Sequence, residues 1–302
     1  MWGEHPMPIE PTVHSTRRQA LLWALAALIM LGSVVFQRLT GPTHPKRGSF
    51  RVGETTYRYR LSRSGDSSHD ERIALPDPGQ PVQGWLSYRR FRTADAWTSI
   101  PLGRETRDGR QELAARLPRQ PAAGKLEYVL ALGGGSQQVR IPADNHPIII
   151  RFKDPVPAPL LASHVILMFF GVMLGVRAGL AGLVHGHDMR RLAWATLSCL
   201  TVGGLVLGPF VQKYAFGAFW TGFPFGGDLT DNKTLIMWGA WALACGLLTA
   251  TKHHAPRRLA LGLAAAVMLT VYLIPHSARG SELDYSKLER GVDPTQAVTT
   301  GR

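Results

Sequence analysis

Five apolar runs, at 20–36, 158–184, 192–211, 234–250 and 259–274, constrain this chain of 302 residues more than any other feature. A helix rises about 1.5 Å per residue, so about 20 apolar residues cross a hydrocarbon core of about 30 Å. The later runs meet or approach that length, and the first, ALLWALAALIMLGSVVF, lies at its short limit with 17 residues. Charged side chains crowd the segment 38–157 and nearly vanish from the four later runs. The pattern predicts an α-helical membrane bundle of five transmembrane helices, with a soluble domain inserted between the first and the second.

The first run follows Arg17 and Arg18, and STRRQALL resembles a twin-arginine export signal. No small-x-small cleavage site follows, and the later spans themselves demand insertion, so an uncleaved signal anchor is expected; a cleaved signal peptide is the alternative. Connector charge sets the orientation. HGHDMRR (185–191), TKHHAPRR (251–258) and the pair Arg17 and Arg18 hold seven Lys and Arg, whereas the 212–233 connector holds only Lys213 and Lys233. Positive charge stays on the cytoplasmic side, which puts the amino terminus inside and the 212–233 connector outside.

The expected organisation is a cytoplasmic amino terminus (1–19), a signal anchor (20–37), a periplasmic domain (38–157), a four-helix region (158–274) with an aromatic loop at 212–233, and a periplasmic tail (275–302). The matching location is a bacterial inner membrane. The segment 38–157 carries 20 Lys and Arg against 12 acids, which long translocated domains tolerate. Most of the net charge of +13 then lies outside, where acidic lipid headgroups or an acidic periplasmic protein surface would complement it. Both cysteines, Cys199 and Cys245, fall within spans, so the exported domain has no disulfide and folds on its core alone.

Within that domain TTYRYRLS, ERIALP, VQGWLSYRRF, AWTSIPL, QELAARLP, KLEYVLAL, QQVRIP and PIIIRF alternate apolar and polar residues between turn signals such as PDPG, RDG, AAGK and GGGS. This is strand periodicity, at spacings suited to an antiparallel sandwich. Trp85 and Tyr128 stand where such sandwiches place core aromatics. The domain resembles, at the level of architecture, an immunoglobulin-like or fibronectin III-like sandwich, and that resemblance implies a module that binds partners.

In the second span Gly171, Gly175 and Gly179 repeat every four residues and form a smooth stripe for a neighbouring helix, in this chain or another. Arg177 is a charge inside that span, expected to snorkel to the boundary or to find a structural partner; an intramembrane site is the sharper reading. The outer loop FGAFWTGFPFGGDLTDNKT offers Phe219, Trp220, Phe223 and Phe225 at interfacial depth, while its glycines and Pro224 exclude one regular helix. Asp228 and Asp231 precede the fourth span, where carboxylates favour a helix amino terminus. His164 and His276 flank the same outer face and, with those acids, are metal or haem ligand candidates. His185, His187, His253 and His254 form a second such group inside. In the tail, SELDYSKLE suggests a short helix capped by Ser281 and folded over the bundle, ahead of a flexible end.

No nucleophile elbow, phosphate loop, zinc-protease helix or paired-cysteine motif occurs. The reading that follows is a non-catalytic scaffold or accessory subunit of a larger membrane complex, in contact with other integral membrane subunits and lipid and not with nucleic acid. No cofactor is predicted on this reading. A metal- or haem-binding redox protein, or a small transporter or sensor, are the alternatives.

Overall fold

The structure, a computed structural model, describes residues 13–79, 81–134, 137–144, 146–184, 189–275 and 280–299. Helix α1 (Val13–Thr40) leads into β1 (Lys46–Val52), β2 (Thr55–Leu61), β3 (Ser64–Asp66), β4 (Glu71–Pro76), β5 (Gln83–Arg90), β6 (Thr98–Pro101), β7 (Gly103–Arg107), β8 (Arg110–Leu117), β9 (Lys125–Gly134), β10 (Gln137–Ile141) and β11 (Ile148–Lys153). Helices then return as α2 (Ala158–Leu183), α3 (Met189–Cys199), a π-helical stretch Leu200–Leu207, α4 (Gly208–Phe216), α5 (Leu229–Ala250) and α6 (His254–Leu273). The chain continues through β12 (Glu282–Leu283), the short α7 (Tyr285–Glu289) and β13 (Val298–Thr299).

Among the described residues, five helices are long and apolar enough to cross a membrane, with α3, the π stretch and α4 forming one of them, Met189–Phe216. Several run past the apolar segments read from sequence. α1 reaches Thr40 because Gln37, Arg38 and Thr40 carry on the helix without adding hydrophobicity, and Gly41 is the first breaker. The π stretch ends where Pro209 follows Gly208. A proline ring lacks an N–H and crowds the carbonyl four residues back, and a widened upstream turn relieves both problems.

The chain divides into two compact units. One comprises Met1–Phe36, Val165–Leu205 and Thr234–Leu273. Its core packs Met168, Val172 and Val176 of α2 against Trp241 and Cys245 of α5 and Leu261, Ala265 and Met268 of α6. The Trp241 indole donates to Met268 Sδ at 3.3 Å, which satisfies its one polar atom without water. Three glycines of α2 lie close to other helices of this chain. A Cβ on Gly171 would lie 3.3 Å from Cys199 Cβ, one on Gly175 would lie 2.6 Å from Met268 Cε, and one on Gly179 would lie 2.5 Å from Ala265 Cβ. Arg177 of the same helix is buried against α1: it donates to Gln19 Oε1 and sits 5.4 Å over the Trp23 ring. That is structural pairing of a guanidinium with an amide and an aromatic face. On α1, by contrast, Leu21, Leu25, Leu28, Leu31 and Val35 all stay exposed, an apolar surface of the kind that meets protein or lipid.

The second unit comprises Gln37–His164, Val206–Lys233 and Ile274–Arg302. All eight segments read as strands from the sequence are strands, and β1, β3 and β7 add to them. One sheet has the order β3-β11-β9-β5-β6, with β10 also paired to β9; a second has the order β4-β8-β7, and β1 and β2 form a ribbon. Leu86, Tyr128, Leu130, Ile150 and Phe152 of the first sheet share one buried core with Ile73, Leu75, Leu113 and Leu117 of the second, and Phe50, Tyr59 and Leu61 of the ribbon join it. The two sheets therefore pack face to face. Tyr128 is fully buried and its hydroxyl donates to Ser62 O at 2.7 Å. Burial pushes the phenol well above its ordinary pKa. Trp85 departs from expectation. Its register partner is Ala131 on the outer face, whereas Gly84 and Leu86 pair with inward-facing Leu132 and Leu130, so strand parity puts the indole outside and 39% exposed.

The tail is not loose over 280–299. Leu283 pairs with Val298, and Asp284 precedes α7 and accepts from the Ser286 amide; Asp284, not Ser281, is the cap. Tyr285 is buried against β9: its hydroxyl accepts from the Lys125 amide and donates to Gln120 Oε1 or Lys125 O, all at 3.0–3.1 Å. Arg90 adds an ion pair to Glu289 and Lys125 another to Glu282. Replacing Tyr285 by Phe leaves the Lys125 N–H without this acceptor, and a cost of about 1–2 kcal/mol is expected. Limited proteolysis of the full chain reads this as faster cleavage after residue 284, and cleavage at the wild-type rate counts against the clamp.

Candidate functional site

Pro209 lies in the first turn of α4, and Gly217 ends the helix in the left-handed conformation (φ 85°) with its N–H on Lys213 O at 2.9 Å. Only glycine takes that conformation without strain. The connector to α5 is thus 217–228, shorter than the 212–233 read from sequence, because QKYAF continues the helix. A turn closes from Gly222 to Phe225 and Gly226, with amide-to-carbonyl distances of 2.9 and 2.8 Å, and the Trp220 indole donates to Phe223 O at 2.9 Å.

A buried polar cluster supports this loop. Asp228 is 4% exposed and caps α5: Oδ1 accepts from the Thr230 amide at 2.8 Å. Its Oδ2 accepts from the Ser281 amide at 2.8 Å, from Ser281 Oγ at 3.2 Å and from Thr221 Oγ1 at 3.1 Å. Asp231 is 6% exposed and accepts from the Thr221 amide at 2.6 Å. Asn232 Oδ1 accepts from the Phe223 amide at 2.6 Å, and Gln212 Nε2 donates to Thr221 Oγ1 at 2.7 Å. Two glycines are required by space. A Cβ on Gly222 would stand 2.5 Å from Asp231 Cβ, and one on Gly280 would stand 2.8 Å from Asp228 Oδ2.

Arg151 of β11 completes the support. It is buried, donates to Ser281 O, and stacks 4.0 Å over the Phe216 ring. Burial pulls its pKa down to about 10, against the opposing pull of Asp228 and Glu282, so it remains a cation at neutral pH. Lys233, also buried, donates to Ile274 O at the end of the helix before the tail.

The loop sorts its residues into two sets. Asp228 and Asp231 turn inward and hold the backbone, whereas Phe219, Phe223 and Phe225 stand 50%, 66% and 81% exposed. Phe219 meets Phe210 edge-on at a centroid distance of 5.5 Å, and Trp220 is half-buried. Phe223 precedes Pro224 through a cis peptide bond. The arrangement hydrogen-bonds the loop backbone and leaves three phenylalanine rings exposed.

His164 is half-buried near the start of α2, and His276 lies outside the described residues, as do His185 and His187. His253 and His254 are exposed. Among the described residues no three His, Cys, Asp or Glu side chains are grouped to hold a metal ion. Sequence reasoning missed Arg151, Gln212, Thr221 and Ser281. Arg151 has the outward parity of an exposed strand residue, and only the covering tail and Phe216 bury it. Compared with protein-family models, with curated proteins and with solved structures, the chain matches none.

Proposed function

We propose that this chain is a multi-pass membrane subunit, non-catalytic, that docks a larger membrane complex through its aromatic loop and its helices. The amino terminus is cytoplasmic and the β domain periplasmic, in a bacterial inner membrane. The observation that carries the reading is the loop itself: a backbone fixed by a buried network that displays Phe219, Phe223 and Phe225 outward. Rigid aromatic anchors bind at low entropic cost and dominate interface energetics. The five long apolar helices support the membrane location, and the facing sheets, antiparallel except where β3 pairs with β11, support an immunoglobulin- or fibronectin III-like partner-binding module.

Gentle detergent extraction followed by identification of co-purifying chains tests this. Phe223→Ser with Phe225→Ser is expected to reduce the recovered partner more than tenfold, since two interface anchors carry about 1–2 kcal/mol or more each, with the thermal midpoint unchanged because both rings are exposed. A wild-type chain that stays alone and monodisperse, under conditions that preserve other native assemblies, removes the reading.

A further inference from the structure

The ribbon β1–β2 carries an unbalanced charge that the fold does not use. Its inward positions pair Gly48 with Tyr59 and Phe50 with Tyr57, and these face the core. Its outward positions pair Arg47 with Arg60, Ser49 with Arg58 and Arg51 with Thr56. Four of those six outward side chains are arginines, all exposed. None of the four takes part in an ion pair among the described residues, although elsewhere in the same unit Arg72, Arg89, Arg90 and Arg104 each find a carboxylate. The one acid of the ribbon, Glu54, sits at its turn, and Lys46 at its base is already paired with Asp144.

Like charges directly opposite on a sheet destabilise it, so Arg47 against Arg60 is a local cost that a bound anion would remove. Guanidinium groups recognise phosphate by two parallel N–H donors, and the hydroxyls of Ser49 and Thr56 add donors on the same face. The position of the ribbon selects the anion. α1 ends at Thr40, and a turn with Gly41 N on Gln37 O (2.9 Å) and His44 N on Gly41 O (3.0 Å) leads directly to Lys46. Six residues reach at most about 20 Å, even extended. The ribbon thus follows, within six residues of chain, the end of a helix long enough to cross a membrane, and Arg38 in the last turn of that helix continues the positive charge.

We propose that the outer face of β1–β2, through Arg47, Arg51, Arg58 and Arg60, binds the phosphates of anionic phospholipid headgroups and holds the β domain against the bilayer surface. The proposal rests on the reading that α1 crosses a membrane. Each arginine near an anionic bilayer contributes a factor of about five in preference for it, and the four act together.

The test uses the full chain in lipid nanodiscs of phosphatidylcholine alone or with phosphatidylglycerol, read by amide hydrogen exchange of residues 46–61. The expected result is exchange at least about fivefold slower in the anionic discs, reversed by high salt. It is lost in the quadruple variant Arg47→Gln, Arg51→Gln, Arg58→Gln, Arg60→Gln and kept in the control Arg107→Gln, Arg110→Gln. Removing like charges does not weaken the ribbon, so the quadruple variant is expected to melt no lower than wild type in neutral discs. Equal exchange in the two lipids, or protection that appears only with an acidic protein, overturns the proposal. Release of the chain from discs of both compositions by an alkaline wash overturns the membrane reading instead.

Discussion

Asp228→Ala is expected to lower the unfolding free energy by about 3 kcal/mol and to release the aromatic loop. The carboxylate caps α5, a role whose loss costs about 1 kcal/mol. Its removal also strands the buried Ser281 amide, for a further cost of about 1–3 kcal/mol. Thr221 Oγ1 and Ser281 Oγ lose the same acceptor but can turn toward each other at 3.3 Å, which limits the total. Asp228→Asn keeps an acceptor for the cap and presents an amide to donors on the other side, so an intermediate loss is expected. Detergent-resistant unfolding curves give the stabilities, and protease cleavage within 217–228 reports the loop. A wild-type cleavage pattern in Asp228→Ala would show that the loop holds its shape without the buried cluster.

Gly179→Leu is expected to disrupt the helical unit outright. Even the first added carbon meets Ala265 Cβ at 2.5 Å, and a Cβ has no rotamer with which to move away. Relief requires α2 and α6 to separate, which opens the contacts around Met268 and Trp241. Overpacking of a close-packed core costs about 1–3 kcal/mol when the neighbours can yield, and more here because the neighbour's own backbone must move. The measurement is the yield of monodisperse protein, with Gly239→Leu as the control because a Cβ there meets nothing within 4 Å. Equal yields from the two variants would mean that the stripe does not set the helix spacing.

Much of this organisation is legible in the residues because two physical signals are strong. Long apolar runs separate the helices from the charged insert, and period-two alternation marks strands such as TTYRYRL, whose burial follows its pattern. Strand parity is ambiguous in β5: Trp85 and Leu86 are both apolar, and only the pairing of Leu86 with Leu130 decides which of them faces the core. The short strands β3 and β7 carry no periodicity to read, since β3 is three residues long and β7 is exposed throughout.

At the site, the sequence marks the acids and the rings but not their separation into buried and exposed sets. That division depends on Ser281 and Gln212, which lie at distances of 53 and 9 residues from their partners in the chain. Arg151 belongs to the same class: its burial comes from Phe216 and the tail, elements distant in sequence, and no local pattern encodes it.

The Ser281 contact also imposes an order on biosynthesis. A ribosome reaches Asp228 first and then translates all of α5 and α6 before the serine that satisfies it exists. Until that point the nascent polypeptide has an incomplete hydrogen-bond shell around the Asp228 carboxylate. Termination after residue 273 but before residue 281 therefore yields chains that carry all five long apolar helices yet lack the serine that completes the shell around Asp228.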